Sequence, residues 1–335
     1  MDKKIATIQD VAAEAGVSTA TVSRTLSKPS VVAEATREAV LAAVERTGYR
    51  INATASNLRR QRTGSVIALV PNLANPFFSQ ILAGINSVLH PVGYGLLVAD
   101  TQAGPNLDDR LSGYLQSGMA DGLILFDGTL PVEPLTTPGR PPVILACEWM
   151  DDDLPSVRTE NARGASLAVT HLLEMGHRHI GHITGPKGNV LSQTRLSGYV
   201  ETLSLHQHEQ RDDWIFDGDF SMDSGAAAAQ KWLQLKDRPT ALFCASDEMA
   251  IGFMGAVQHQ GIRVPEDVSL VGFDNIEVVG HLSPALTTIR QRRTQIGEQA
   301  ARLLLDMIEA GTLTGVSEII EVELICRDSV ARIPT

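Results

Sequence analysis

Gly16-Val17-Ser18-Thr19-Ala20-Thr21-Val22-Ser23-Arg24 is the stretch on which the reading of this chain turns. Glycine takes up the left-handed backbone of a tight turn without steric cost, and serine accepts hydrogen bonds from the free amides that open a helix. Upstream of this turn, Ile8, Val11, Ala12 and Ala15 recur at helical spacing; downstream, Val22 with Leu26, and then Val40, Leu41 and Val44, do the same. The spacing predicts three short helices within residues 5–48, with Ala12 small enough to let the first two cross closely. A helix, a short glycine turn and a second helix capped by serine form the helix-turn-helix arrangement. The second helix is expected to turn Thr19, Ala20, Ser23 and Arg24 outward and Val22 and Leu26 inward. Arginine pairs bidentately with guanine in the major groove, and threonine or alanine methyls touch thymine. Thr7, Ser23 and the amides at the helix starts suit phosphates, and Ser18 and Thr21 complete the candidate DNA-facing set.

Charge follows the same division. Residues 1–62 carry ten Lys/Arg against six Asp/Glu, whereas the remainder of the 335-residue chain is strongly acidic and brings the net charge to -11. A basic head suits a polyanion; the acidic body does not. The three cysteines, Cys147, Cys244 and Cys326, are scattered in apolar, strand-like runs, which argues against a disulfide framework and a zinc site and for a reducing compartment. The start MDKKIATIQD lacks the apolar region of a signal peptide, and no run approaches the length of a membrane span, so a cytoplasmic protein without membrane contact is expected.

Residues 49–63 are polar and basic and read as a linker. From residue 64 onward short apolar strands alternate with helical stretches: 65–70, 94–100, 121–126 and 142–147, then 179–184, 240–246 and 268–274. Two parallel-sheet α/β units are implied, with helices on both faces of each sheet and ligands outside the carboxyl ends of the strands. The expected organisation is therefore an all-α helix-turn-helix head over residues 1–50, a hinge over 51–63 and a two-lobed α/β core over 64–335. Within that core the first lobe takes residues 64–161 and 292–322, and the second takes 162–291 and 323–335.

With these motifs in place the chain resembles the lac repressor family over essentially its whole length. The resemblance is carried by VSxxTVSR at Val17 to Arg24, by Gly48-Tyr49, by Asn52, Ala55 and Leu58, and in the body by Asn75-Pro76-Phe77-Phe78, Arg195-Leu196-Ser197-Gly198-Tyr199, Gly218-Asp219-Phe220, Ser246 to Ala250, and Val264 to Asn275. It implies a core like that of periplasmic sugar-binding proteins and a homodimeric, ligand-responsive repressor on a palindromic operator. It further implies that a segment near 52–60 becomes helical on double-stranded DNA, with Asn52, Ala55, Leu58 and Arg59 at the minor groove and Leu58 as an apolar wedge. The implied effector set is Asn75, Phe77, Phe78, Glu148, Leu191, Arg195, Phe220, Ser246, Asp274 and Gln291. By the same resemblance Phe78 and Phe220 stack on a ring, Arg195 donates a forked pair and Asp274 accepts from hydroxyls, which suits a polyhydroxylated ring. Glu148 stands where a nucleoside-responsive member of that family also carries Glu, which points to a nucleoside or sugar, whereas Cys147 and Ser246 depart from many sugar-binding members.

The residues argue against two rival readings. A transport solute-binding protein needs a leader and no DNA head, and an enzyme acting on a nucleoside or sugar would need Asp274 and Glu148 as acid and base. No GxGxxG or GxSxG occurs, His177, His179 and His182 lack a supporting ligand set for a metal, and neither a cofactor nor a catalytic residue is expected.

Overall fold

The computed structural model describes residues 6–49, 62–101, 113–114, 118–131, 135, 139–150, 154–312 and 316–333. The chain divides into two compact units, Met1–Arg62 and Thr63–Thr335. Asp121 marks the start of the second: its carboxylate accepts from the Thr63 and Gly64 amides at 2.7 and 2.9 Å, tying that backbone to the body.

In the first unit α1 (Ile8–Ala15), α2 (Thr19–Ser27) and α3 (Glu34–Thr47) surround Val11, Ala12, Val22, Val40 and Ala43. Thr7 and Asp10 form a reciprocal capping box at the start of α1, and Gly16 closes that helix with φ 65°. Ser18 caps α2, its Oγ accepting from the Thr21 amide at 3.1 Å. Leu41, placed among the helical apolar positions by spacing, is 49% exposed; Ala43 faces inward beside Val40.

The body carries two six-stranded sheets. The first contains β1 (Ser65–Val70), β2 (Gly95–Asp100), β3 (Gly122–Leu125), β4 (Val143–Ala146), β5 (Ser156–Thr159) and β11 (Glu318–Ile320), in the order β11-β5-β4-β3-β1-β2. The second contains β6 (Ile180–Ile183), β7 (Ile215–Phe216), β8 (Ala241–Cys244), β9 (Ser269–Asp274), β10 (Thr287–Arg290) and β12 (Glu323–Ile325), in the order β12-β10-β9-β8-β6-β7. All pairings are parallel except that of β10 with β12. The chain crosses between sheets three times, after β5, after β10 and after β11. Since β10 runs toward the first sheet and β12 returns from it, these two neighbours must point in opposite directions.

Helices α4 (Phe77–Leu89) and α9 (Arg293–Ala310) lie against the first sheet; α5 (Asn161–Glu174), α6 (Val190–Leu205), α7 (Met222–Gln234) and α8 (Asp247–Gln258) serve the second. The pleat splits β8 between them: Phe243 joins the core with Val169 and Tyr199, and Leu242 and Cys244 join the one with Ala228 and Phe253. Helices α4 and α9 cross so closely that a Cβ on Gly297 would sit 2.0 Å from the Ile81 carbonyl oxygen.

The sequence reading placed all three cysteines in strand-like runs. Cys326 instead lies exposed just beyond β12, and Cys147 follows β4 with φ 71°. No helix among the described residues is long and apolar enough to cross a membrane, and no group of three His, Cys, Asp or Glu among them is arranged to hold a metal ion.

Candidate functional site

Strand ends of both sheets converge on one cavity of about 250 Å3. Phe126 and Asp127 follow β3, Cys147 and Glu148 follow β4, Ser246 follows β8 and Asp274 ends β9. The carboxyl ends of parallel strands carry these residues because the strands themselves are filled by core contacts, leaving the connections free to face a ligand.

Aromatic rings form one wall. Asn75 Oδ1 accepts from the Phe77 amide at 2.8 Å and fixes the start of α4, which turns Phe77 and Phe78 into the cavity. Their rings meet edge to face at 5.2 Å, and Phe78 meets Phe126 in the same way at 5.5 Å. Phe220 faces the cavity from the segment before α7, and Leu191 lines it from α6.

Arg195 is the buried cation of the site. Only 2% exposed, it donates from Nε to Asn161 Oδ1 at 2.9 Å and from Nη1 to the Ala245 carbonyl at 2.5 Å. Its guanidinium lies 3.8 Å from the Phe273 ring centre and 5.8 Å from that of Phe220. Burial lowers its pKa, while Asp274, Cys147, Glu148 and Asp247 act in the opposite direction.

Four carboxylates share the lining: Asp127, Glu148, Asp219 and Asp274. Burial pushes Asp274 up to about 6 against the pull of Arg195 and a hydrogen bond from Gln291 Nε2 at 2.7 Å. Glu148 is raised by burial and held down by donors from the Gly128 amide at 2.7 Å and Asn189 Nδ2 at 2.6 Å. The Cys147 thiol is pushed well up, first by burial and then by Glu148 and Asp274, so it faces the cavity as a neutral group. Cys147, Phe220 and Asp274 have φ of 71°, 69° and 120°, a backbone region costly for residues with side chains and retained where the surroundings impose it.

Nine of the ten effector residues expected from the sequence line this cavity. Gln291 does not; it stands behind Asp274, bridging it to Thr159, whose hydroxyl donates to Gln291 Oε1 at 3.0 Å. Sequence reasoning passed over Asp127 and Asn189. Asp127 had a legible signal, since it follows β3 as Glu148 follows β4; Asn189 lay in a stretch of weak pattern and is visible only through its cap and its partner across the cleft.

On the head, Thr19, Ala20, Ser23 and Arg24 border a shallow surface depression together with Ile8, Gln9 and Lys28, while Val22 is buried and Leu26 packs on the core. Thr7, Ser18 and Thr21 are engaged locally. Thr7 bonds the Asp10 carboxylate through both its amide and its hydroxyl, and the Ser18 and Thr21 hydroxyls lie 2.9 Å apart. Asn52, Ala55, Leu58 and Arg59 lie outside the described residues. His182 is buried in β6 with its Nδ1 2.8 Å from the Phe243 carbonyl, and His177 bridges Thr240 and the Ala331 carbonyl, both structural roles.

Residues 7–52 match the profile of bacterial regulatory proteins, lacI family, and residues 169–330 match that of a periplasmic binding protein-like domain. The HTH-type transcriptional repressor CytR of Escherichia coli (strain K12) is 37% identical over 332 residues, covering 98% of this chain and 97% of that one. The chain belongs to the lacI family. The PurR repressor of Aliivibrio salmonicida (strain LFI1238) is 36% identical over 311 residues, covering 91% of this chain and 93% of its own length. Among solved structures, the lac repressor dimer bound to operator and the anti-inducer ONPF superposes with a TM-score of 0.85 at 30% identity, covering 98% of this chain and all of that one. The CelR regulator in complex with cellobiose gives 0.74 at 34% identity, covering 97% and 99%. As a lacI-family member the protein is a DNA-binding transcriptional regulator with a small-molecule body, in a group whose named relatives are repressors rather than enzymes.

Proposed function

We propose that this chain is a cytoplasmic, homodimeric repressor of a palindromic operator and that its effector is an unphosphorylated nucleoside. The observation that carries the ligand class is the balance of charge in the cavity, where four carboxylates face Arg195 and Lys187. Lys187 is largely exposed and pairs with Asp217, 3.2 Å away, so of the two cations only Arg195 is enclosed. A phosphate would enter a predominantly acidic enclosure, whereas ribose hydroxyls would donate to Asp274 and its neighbours. Phe78 and Phe220 supply apolar faces for a base or sugar ring, and the volume suits a molecule of one or two rings rather than an oligomer.

In the head, Thr19, Ala20, Ser23 and Arg24 are assigned to base edges and phosphates, with Thr7, Ser18 and Thr21 holding the helix starts that face the backbone. Asn52, Ala55, Leu58 and Arg59 are assigned to the minor groove. The second copy has a surface to cover, because β2 is a sheet edge on which Leu97 and Val98 are exposed. Two-fold symmetry of the dimer then requires two-fold symmetry of the operator.

Titration calorimetry with a nucleoside panel, the matching 5′-monophosphates, ribose and hexoses tests the ligand. One or more nucleosides should bind, with each monophosphate at least tenfold weaker; binding of a hexose or a nucleotide alone would overturn the reading. Footprinting on DNA flanking the gene, with and without the bound nucleoside, tests the regulator.

A further inference from the structure

Asn189 has two side-chain ends with different partners. Its Oδ1 caps α6, accepting from the Leu191 and Ser192 amides at 2.9 and 3.2 Å. Its Nδ2 donates to Glu148 Oε1 at 2.6 Å. Glu148 follows β4 of the first sheet and Asn189 precedes α6 of the second, so this bond spans the cleft. Both side chains are buried, at 7% and 9% exposure, and both line the cavity.

We propose that Asn189 is a positioning residue that orients the Glu148 carboxylate toward the cavity and ties the two lobes together before any ligand arrives. The recognition half of this proposal rests on the cavity being the effector site; the tie does not. A carboxylate removed from water stays ionised only if donors replace the water, and here the Gly128 amide takes one oxygen and Asn189 the other. Glu148 therefore keeps one orientation, and its remaining lone pairs can only accept. A ligand amine or hydroxyl meets a ready partner there; a ligand carbonyl meets repulsion.

Placement distinguishes this bond from the other links between the lobes. The Thr159 hydroxyl to Gln291 and the Arg293 guanidinium to the Asn275 carbonyl lie on or beside the crossing segments. Rotation of one lobe about those segments would move them little. The Glu148 and Asn189 loops are not crossing segments, and they meet because the cleft is closed.

The test separates the cap from the tie. Asn189→Asp keeps a capping oxygen but sets two carboxylates against each other, and Asn189→Ser keeps a capping hydroxyl while removing the long amide donor. The double variant Asn189→Asp/Glu148→Gln reverses donor and acceptor and restores a charge-assisted bond. Small-angle scattering on the full, ligand-free chain is the first readout. Both single variants should be expanded relative to wild type, and the double variant should return to wild-type dimensions. A single variant that folds and scatters like wild type, or a double variant as expanded as Asn189→Asp, would overturn the tie. Nucleoside affinity by calorimetry is the second readout, with a loss of about tenfold expected for Asn189→Asp; unchanged affinity would overturn the positioning role. Scattering needs no ligand, so failure of the nucleoside reading leaves that arm intact and is seen separately as absent binding to wild type.

Discussion

Replacing Arg195 by lysine keeps a cation but removes the planar fork, and the structure sets the size of the result. The guanidinium serves two buried acceptors, Asn161 Oδ1 and the Ala245 carbonyl, and stacks 3.8 Å from the Phe273 ring centre. An ammonium on a flexible stem reaches one of those acceptors and leaves the other unsatisfied, at a cost of about 1–3 kcal/mol. Loss of the stacked arrangement adds about 1 kcal/mol. A destabilisation of about 3 kcal/mol in a body of this size lowers Tm by roughly 5 °C. Scanning calorimetry at pH 7.5 on the ligand-free protein measures it. Arg195→Met should fall further, because removing one partner of a buried charge cluster costs about 3–5 kcal/mol. If Arg195→Lys melts within 1 °C of wild type, the buried fork does not hold the second lobe as argued.

Three further outcomes follow from the same geometry. Asp274 has its pKa raised to about 6 by burial, so the folded site takes up a proton as pH falls through 6. That protonation stabilises the free protein toward pH 4 and removes an ionised acceptor from the ligand, so nucleoside affinity at pH 5 should be about tenfold weaker than at pH 7 by calorimetry; a flat profile would refute this. Gly297→Ala forces a Cβ to within 2.0 Å of the Ile81 carbonyl oxygen and should lower body stability by more than about 2 kcal/mol in urea unfolding, with an unchanged midpoint as the opposing result. Arg24→Ala, exposed on α2, should weaken operator binding by about 1–3 kcal/mol in a gel-shift titration and leave effector binding as it was; equal operator affinity would remove Arg24 from the interface.

Much of the fold was legible because its signals are local. The Gly16 turn, the Ser18 cap and the helical recurrence of Val11, Val22 and Val40 specify the head without distant contacts. The continuous apolar runs of β1, β8 and β9 announce strands buried on both faces. Among the strands outside the predicted apolar runs, β5 (SVRT), β7 (IF) and β10 (TTIR) are short or polar and owe their conformation to neighbours already in the sheet. The site divides in the same way. Residues that follow a strong strand, such as Glu148 and Asp274, could be nominated from the sequence. Whether Gln291 touches a ligand or only braces Asp274 depends on side-chain placement across two strand ends, and the amide of Asn189 finds its partner 41 positions away.

The three crossings between the sheets also govern the order in which the protein can be made. Helix α9, which packs on α4 and against β3, β4 and β5, begins at Arg293, and the first sheet lacks its β11 edge until Ile320 has been synthesised. The second sheet waits for β12, and Ser329 then closes it by donating to the Leu270 carbonyl and accepting from the Thr287 amide. On a ribosome-bound chain the first lobe stays incomplete until residue 320 has emerged and the second until residue 329, whereas the three-helix head needs only the residues through Thr47. A nascent chain thus completes its head while its body is unfinished, and loss of residues 318–329 would unmake both halves of the sensor together while leaving the head's own core intact.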